Sequence, residues 1–242
     1  MATLLLRLAG PLQSWGDGSR FNRRKTRTEP TKSGVFGLLA AAQGRRRTDP
    51  IEDLLSLKFG VRCEQPGKIL RDFQTEIDWR NGKAFPLTHR YYLSDAVFLA
   101  AIEGHDHLIE ALHDALLNPV FPLFLGRRSC PPSGRIVVGL RDDNFVDVLH
   151  EEPIRASRHY LMKLAPQIRR EITRDALDNE QPHEAVRDVP ISFDIRNRSY
   201  GIRNVVREYS SLLENMHSKV KAKDDFMLLA KEVADVSEQT GS

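Results

Sequence analysis

The sequence predicts an α+β protein: a ferredoxin-like domain over residues 1–132 with a protruding hairpin, then a smaller C-terminal antiparallel β unit over 133–209 and a helical or mobile tail, 210–242. Three observations carry this. Strand-length apolar runs alternate with helix-spaced segments in the order strand, helix, strand, hairpin, strand, helix, strand. Asn81-Gly82 lies between two extended arms at about 71–93. From Ser133 the pattern changes to short, separated strands.

In chain order, ATLLLRLA (2–9) is almost wholly apolar and stops at Gly10-Pro11, as a central strand would. The stretch from Gly10 to Lys32 reads as a long basic loop. Val35, Phe36, Leu38, Leu39 and Ala42 recur at helical spacing, with Thr31 or Ser33 as N-cap and Gly44 as terminator. A short helix follows, with Asp49 as cap, Pro50 at its first position and Glu52 closing a capping box. LKFGVRCE (57–64) alternates as a strand, and residues 71–93 form a polar hairpin with a type I′ turn at Asn81-Gly82. SDAVFLAAIEG (94–104) is a buried strand. Asp106 caps a helix carrying Leu108, Ile109, Leu112, Ala115 and Leu116 on one face, and Asn118-Pro119 stops it. FPLFLG (121–126), RIVVGL, VDVLH, VPISFDIR and YGIRNVV complete the strands, with a charged, apolar-poor stretch at about 155–188.

Charge is segregated. The chain of 242 residues has a net charge of +3, yet residues 20–47 hold nine basic side chains against one acid, Glu29. That local +8 leaves the rest at −5, which points to a polyanionic partner, nucleic acid ahead of anionic membrane, with a solvated face as the plainer alternative. No apolar run approaches the roughly 18 residues of a membrane span, so a cytoplasmic protein with no membrane partner is expected. Cys63 and Cys130 form no C-x-x-C pair and read as buried free thiols, and neither metal nor cofactor is expected.

TEPTKSG lacks the first glycine of a phosphate-cradling P-loop and has Pro30 where an N–H is wanted. What remains is a helix N-terminus with Thr31, Lys32 and Ser33, able to bind one phosphate, and a track of Arg20, Arg23, Arg24, Lys25 and Arg27 extending it. In FLGRRSCPPS, Gly126 allows close backbone approach while Arg127, Arg128 and Ser129 suit a sugar-phosphate backbone; a solvated turn is the alternative. Trp15, and Tyr91 and Tyr92 of HRYY, offer rings for unpaired bases beside the cation Arg90, although a core role is expected for at least one tyrosine. RNA cleavage without a metal would need a base near a 2′-OH, for which His89, Tyr91 and Lys83 are the candidates.

Together LLLRLAGPLQSWG, PTKSGVFGLLAAAQG, FGVRCE, YYLSDAVF and FPLFLGRRSCPP resemble, in order, the type I-E branch of the fifth CRISPR-associated (Cas) protein family; after residue 132 only DVPISFDIRNRSYGIRNV is similar. The resemblance implies an RRM-related, ferredoxin-like fold, with the 71–93 hairpin as a thumb that crosses the guide and displaces a base. It implies a non-catalytic subunit of a Cascade surveillance complex that caps the 5′ handle of the CRISPR RNA. The implied partners are that RNA, the backbone subunit, the large PAM-reading subunit and, through the complex, target DNA. Handle contacts would fall on Gln13, Trp15, Arg27, Thr31, Lys32, Ser33, Arg127, Arg128, Ser129 and Cys130. Type I-C members of the family process CRISPR RNA as metal-independent endoribonucleases, which is the alternative activity.

Overall fold

A computed structural model describes residues 1–16 and 23–220. Among them the elements are, in chain order, β1 (Ala2–Ala9), β2 (Leu12–Gln13), β3 (Arg23–Arg24), α1 (Lys32–Ala42), α2 (Glu52–Leu55), β4 (Lys58–Gln65), β5 (Lys68–Gln74), β6 (Thr88–Ser94), β7 (Val97–Gly104), α3 (Asp106–Leu117), β8 (Val137–Arg141), α4 (Phe145–Glu151), α5 (Arg158–Leu161), β9 (Gln167–Ile168), β10 (Glu171–Asp175), β11 (Glu184–Ser192), β12 (Ser199–Tyr209) and β13 (Leu213–Glu214). The fold is mixed α+β. Its main sheet has seven strands in the order β11-β12-β10-β4-β7-β1-β8, antiparallel throughout.

β1 is apolar on both faces because both faces are covered. Leu4, Leu6 and Leu8 pack with Phe98, Ala100 and Ile102 of β7 beneath α1 and α3, while Leu5, Leu99, Ala101 and Ile172 pack beneath Phe145, Val148 and Leu149 of α4. Each fully buried leucine contributes about 2 kcal/mol. Thr31 caps α1, its hydroxyl accepting from Gly34 N at 3.2 Å, and Phe36 meets Phe59 edge-on with ring centroids 6.0 Å apart. Ile109, Leu112 and Leu116 anchor α3 on the same face.

Several expectations change. The strands after residue 133 do not stand apart: β8 takes one end of the sheet beside β1, and β10, β12 and β11 extend it beyond β4. VDVLH lies in α4, where Asn144 caps the helix by accepting from Val146 N and Asp147 N. FPLFLG is irregular, and the stretch 155–188 contains α5, β9 and β10. α2 starts at Glu52 without a side-chain cap, since Asp49 accepts instead from Arg46 N. Asp106 is the first residue of α3 rather than its cap, which is His105. The hairpin does not close in a type I′ turn: only Gly82 enters the left-handed region, at φ +69°, and Gly82 N and Asn81 N both donate to Asp78 O. Of the tail, residues 210–220 are extended and turn-like, with β13 paired to β9; residues 221–242 lie outside the described residues. No helix among the described residues is long and apolar enough to cross a membrane.

Candidate nucleic-acid interface

A second, smaller sheet is built around β6. Along one edge β6 pairs with β5; along the other it pairs with β2 near its end and, in parallel, with β3 near its start. The parallel register sets Arg23 beside His89 and Arg24 beside Arg90, and the antiparallel one sets Arg71 opposite Tyr91 and Phe73 opposite His89. Cross-strand neighbours share a face, so Arg23, Arg71, Phe73, His89 and Tyr91 lie on one face and Arg24 and Arg90 on the other. Arg23, Arg24, Lys25 and Arg71 are exposed, and His89, Arg90 and Tyr91 half-buried.

The loop after Leu125 braces this sheet. Leu125 O accepts from Ser14 N and Leu125 N donates to Cys130 O, closing a tight loop. Gly126 holds φ +85°, and a Cβ there would lie 1.8 Å from Ser14 O, so only glycine fits. The half-buried Arg127 donates to Tyr91 O at 3.3 Å, to Arg24 O at 2.9 Å and to Lys25 O at 3.4 Å, with its guanidinium 5.0 Å from the Tyr92 ring centroid. It ties β3 and the following turn to β6. Arg128 and Ser129 beside it are exposed. The result is an exposed basic edge of Arg23, Arg24 and Lys25, to which Arg127 ties the loop that carries the exposed Arg128 and Ser129; Arg23 lies on the face of His89 and Tyr91, and Arg24 on the face of Arg90.

The other sequence-derived candidates are interior. Trp15 is fully buried; its Nε1 donates to Gln13 Oε1 at 3.0 Å, and Gln13 Nε2 donates to Leu8 O and Ala96 O. Cys130 is buried as well, and burial pushes its thiol up, as it pushes Cys63 up to about 12. Thr31, Lys32 and Ser33 are each at most 6% exposed. Lys32 Nζ donates to Asp175 Oδ2 and to Leu57 O, both at 2.8 Å, and its backbone N–H donates to Asp188 Oδ2 at 2.8 Å. The helix N-terminus that sequence reading offers to a phosphate is thus already occupied by the chain's own carboxylate. Arg203 completes the knot, pairing with Asp188 and Asp175; burial pulls its pKa down, but the two carboxylates outweigh that and raise it. Arg27 turns to Glu184 at 3.6 Å, and Arg20 lies outside the described residues. Glu29, the one acid of the basic segment, anchors it by accepting from Arg207 Nη2 at 2.9 Å and Thr173 Oγ1 at 2.8 Å.

The hairpin also departs from its polar reading. Phe73, Ile77 and Phe85 are more than half exposed and Trp79 is 86% exposed, with the Arg80 guanidinium 5.4 Å from its ring centroid. Arg71 and Phe73 are legible in sequence only through the two-residue period of RDFQ, which gives no hint of where that strand's partner lies.

Residues 3–206 match the family model described as "CRISPR-associated protein (Cas_Cas5)". The chain is 36% identical over 173 residues to the CRISPR system Cascade subunit CasD of Escherichia coli (strain K12), covering 62% of this chain and 77% of that protein. Among solved structures it is similar to a chain of a "CRISPR RNA-guided surveillance complex", with a TM-score of 0.73 and 31% identity over 96% of this chain and 99% of that one. It is also similar to a "Cas protein" crystal structure, with a TM-score of 0.66 and 39% identity over 89% and 97% of the two chains.

Proposed function

From the premise that this chain belongs to the CRISPR-associated Cas5 family, we propose that it is a non-catalytic subunit of a type I-E Cascade surveillance complex that binds and caps the 5′ handle of the CRISPR RNA. The observation that carries this is the exposed basic surface of Arg23, Arg24, Lys25 and Arg128, braced by Arg127 and flanked by Tyr91. Cations on β3, on the residue after it and on the adjoining loop suit phosphates of a nucleic-acid backbone, and a half-exposed ring suits an unpaired base. The core order β1-α1-β4-β7-α3-β8, with β4-β7-β1-β8 as the sheet order, supports a ferredoxin-like, RRM-related reading. The β5–β6 hairpin is the thumb in this reading, its exposed Trp79 and Phe85 suited to wedge against a base or a backbone subunit. The large PAM-reading subunit is the other neighbour, target DNA is met through the complex, and the setting is the cytoplasm.

One observation favours a second reading, metal-independent cleavage: His89 and Tyr91 share a face of β6 beside Arg23 and Arg71, and His89 Nδ1 is buried without a hydrogen-bond partner among the described residues. End-labelled CRISPR repeat RNA, incubated with the purified protein in EDTA and run on native and denaturing gels, separates the two. A shifted but intact RNA is expected. A single cut abolished by His89→Ala or Tyr91→Phe would replace the cap by a processing nuclease.

A further inference from the structure

Residues 155–170 contain five lysines and arginines and no acid, within the part of the chain that is otherwise net acidic. They fold into a small module of α5 and the β9–β13 pair, stitched together by Asn215, whose Nδ2 donates to Leu161 O at 2.8 Å and Ala165 O at 3.0 Å. Arg158, His159, Lys163 and Arg169 are exposed, and Lys219, also exposed, is held beside them by its backbone N–H donating to Met162 O at 3.2 Å. Glu214 of β13 and Glu171 are the acids that flank the module.

Within this module Arg170 is only 7% exposed, with its guanidinium 5.7 Å from the centroid of the Tyr160 ring. Its buried Nε and Nη2 have no hydrogen-bond partner among the described residues. A buried guanidinium with open donors is costly to keep, and an anion is the group that satisfies it best. The exposed side chains of α5, β9 and β13 are Arg158, His159, Gln167 and Glu214, with Tyr160 half-buried against Arg170, so these elements present polar and charged groups outermost. That combination fits a duplex, whose bases are turned inward and whose phosphates are outermost. The module adjoins the hairpin base through Gln65, the last residue of β4, whose Oε1 accepts from Ser157 Oγ at 2.7 Å.

We propose that the α5–β9–β13 module is a second nucleic-acid contact, taking the phosphate backbone of a DNA duplex with Arg170 as its anchor. This goes beyond the proposed function, in which DNA is met only through other subunits. The test uses the full chain with a short fluorescent duplex DNA and, separately, single-stranded repeat RNA, each titrated across a salt series. The triple variant Arg158→Ala/Lys163→Ala/Arg169→Ala is expected to lose duplex affinity about tenfold or more and to lower the salt slope by about 2 to 3 units, with RNA affinity kept within about threefold. Arg170→Lys, which keeps the charge but not the fork, is expected to weaken duplex binding while lowering the melting temperature no more than the triple variant does. Duplex binding and slope that are unchanged in the triple overturn the proposal, as does a loss confined to RNA. Failure of the handle reading is a separate result, seen as RNA binding indifferent to Arg23, Arg24 and Arg128.

Discussion

Arg127 and Arg128 are adjacent in sequence but have different surroundings. Arg127 donates to three carbonyls and covers the Tyr92 ring, whereas Arg128 is exposed. Arg127→Ala should therefore destabilise the protein by about 1–3 kcal/mol, while Arg128→Ala leaves denaturant midpoints unchanged and weakens RNA binding. Equal effects of the two variants on unfolding would contradict the assignment. Gly126→Ala has no room at all, with a Cβ 1.8 Å from Ser14 O and a left-handed backbone. It should lower the urea midpoint more than any single surface arginine substitution. Trp15→Ala, by emptying a fully buried site, should cost about 3–5 kcal/mol, and any loss of RNA binding should vanish when refolded fractions are compared. The basic track is legible because charge clusters in sequence; the burial of Lys32 is not, because its partners Asp175 and Asp188 lie 143 and 156 residues away.

At the level of elements, α1 is locked to the late strands by the Lys32–Asp175–Arg203–Asp188 knot. Lys32→Met leaves buried carboxylate charge uncompensated and should cost about 3–5 kcal/mol, part of which Lys32→Met/Asp175→Asn recovers. A single variant as stable as the wild type in urea would show that α1 does not depend on this knot. β10 is fixed to β12 and the following turn by Arg174, which pairs with both Glu180 and Glu208. The hydrogen bond from Arg174 holds Glu180 down to about 2 from its ordinary 4.5. A depressed folded pKa stabilises above about pH 4.5 and the contribution is lost as pH falls toward 2. The melting-temperature gap between wild type and Glu180→Gln should thus be present at neutral pH and close in this acid window; a gap that persists in acid would refute it. Strong periodicity makes β1, α1, β4, β7 and α3 readable. β10 escapes sequence reading because EITRD is short and polar, and α4 passes for a strand because FVDVLH has a β-branched look while the sign of a helix, the Asn144 cap, sits one residue before it.

Across the whole molecule, one seven-stranded sheet runs through both halves of the chain and carries the small β6-centred sheet at its side. This arrangement explains which motif residues are scaffolding and which face solvent. Gln13, Trp15, Thr31, Lys32, Ser33 and Cys130 hold the platform from inside, and Arg23, Arg24, Lys25 and Arg128 present charge from its surface. Sequence similarity alone blends the two groups, since residues that pack and residues that face a ligand lie in the same motif. Tertiary pairing separates them: β3 is two residues long, and only its parallel register with β6 brings Arg23 and Arg24 beside His89 and Arg90. The measurement that tests this most directly is the salt dependence of repeat-RNA binding by the wild type and by Arg23→Ala/Arg24→Ala/Arg128→Ala, with folding checked by thermal melt. A slope shallower by about 2 units is expected, near 0.7 for each single-strand phosphate the variant no longer neutralises, with an unchanged melt. An unchanged slope and affinity in a folded triple variant would contradict it.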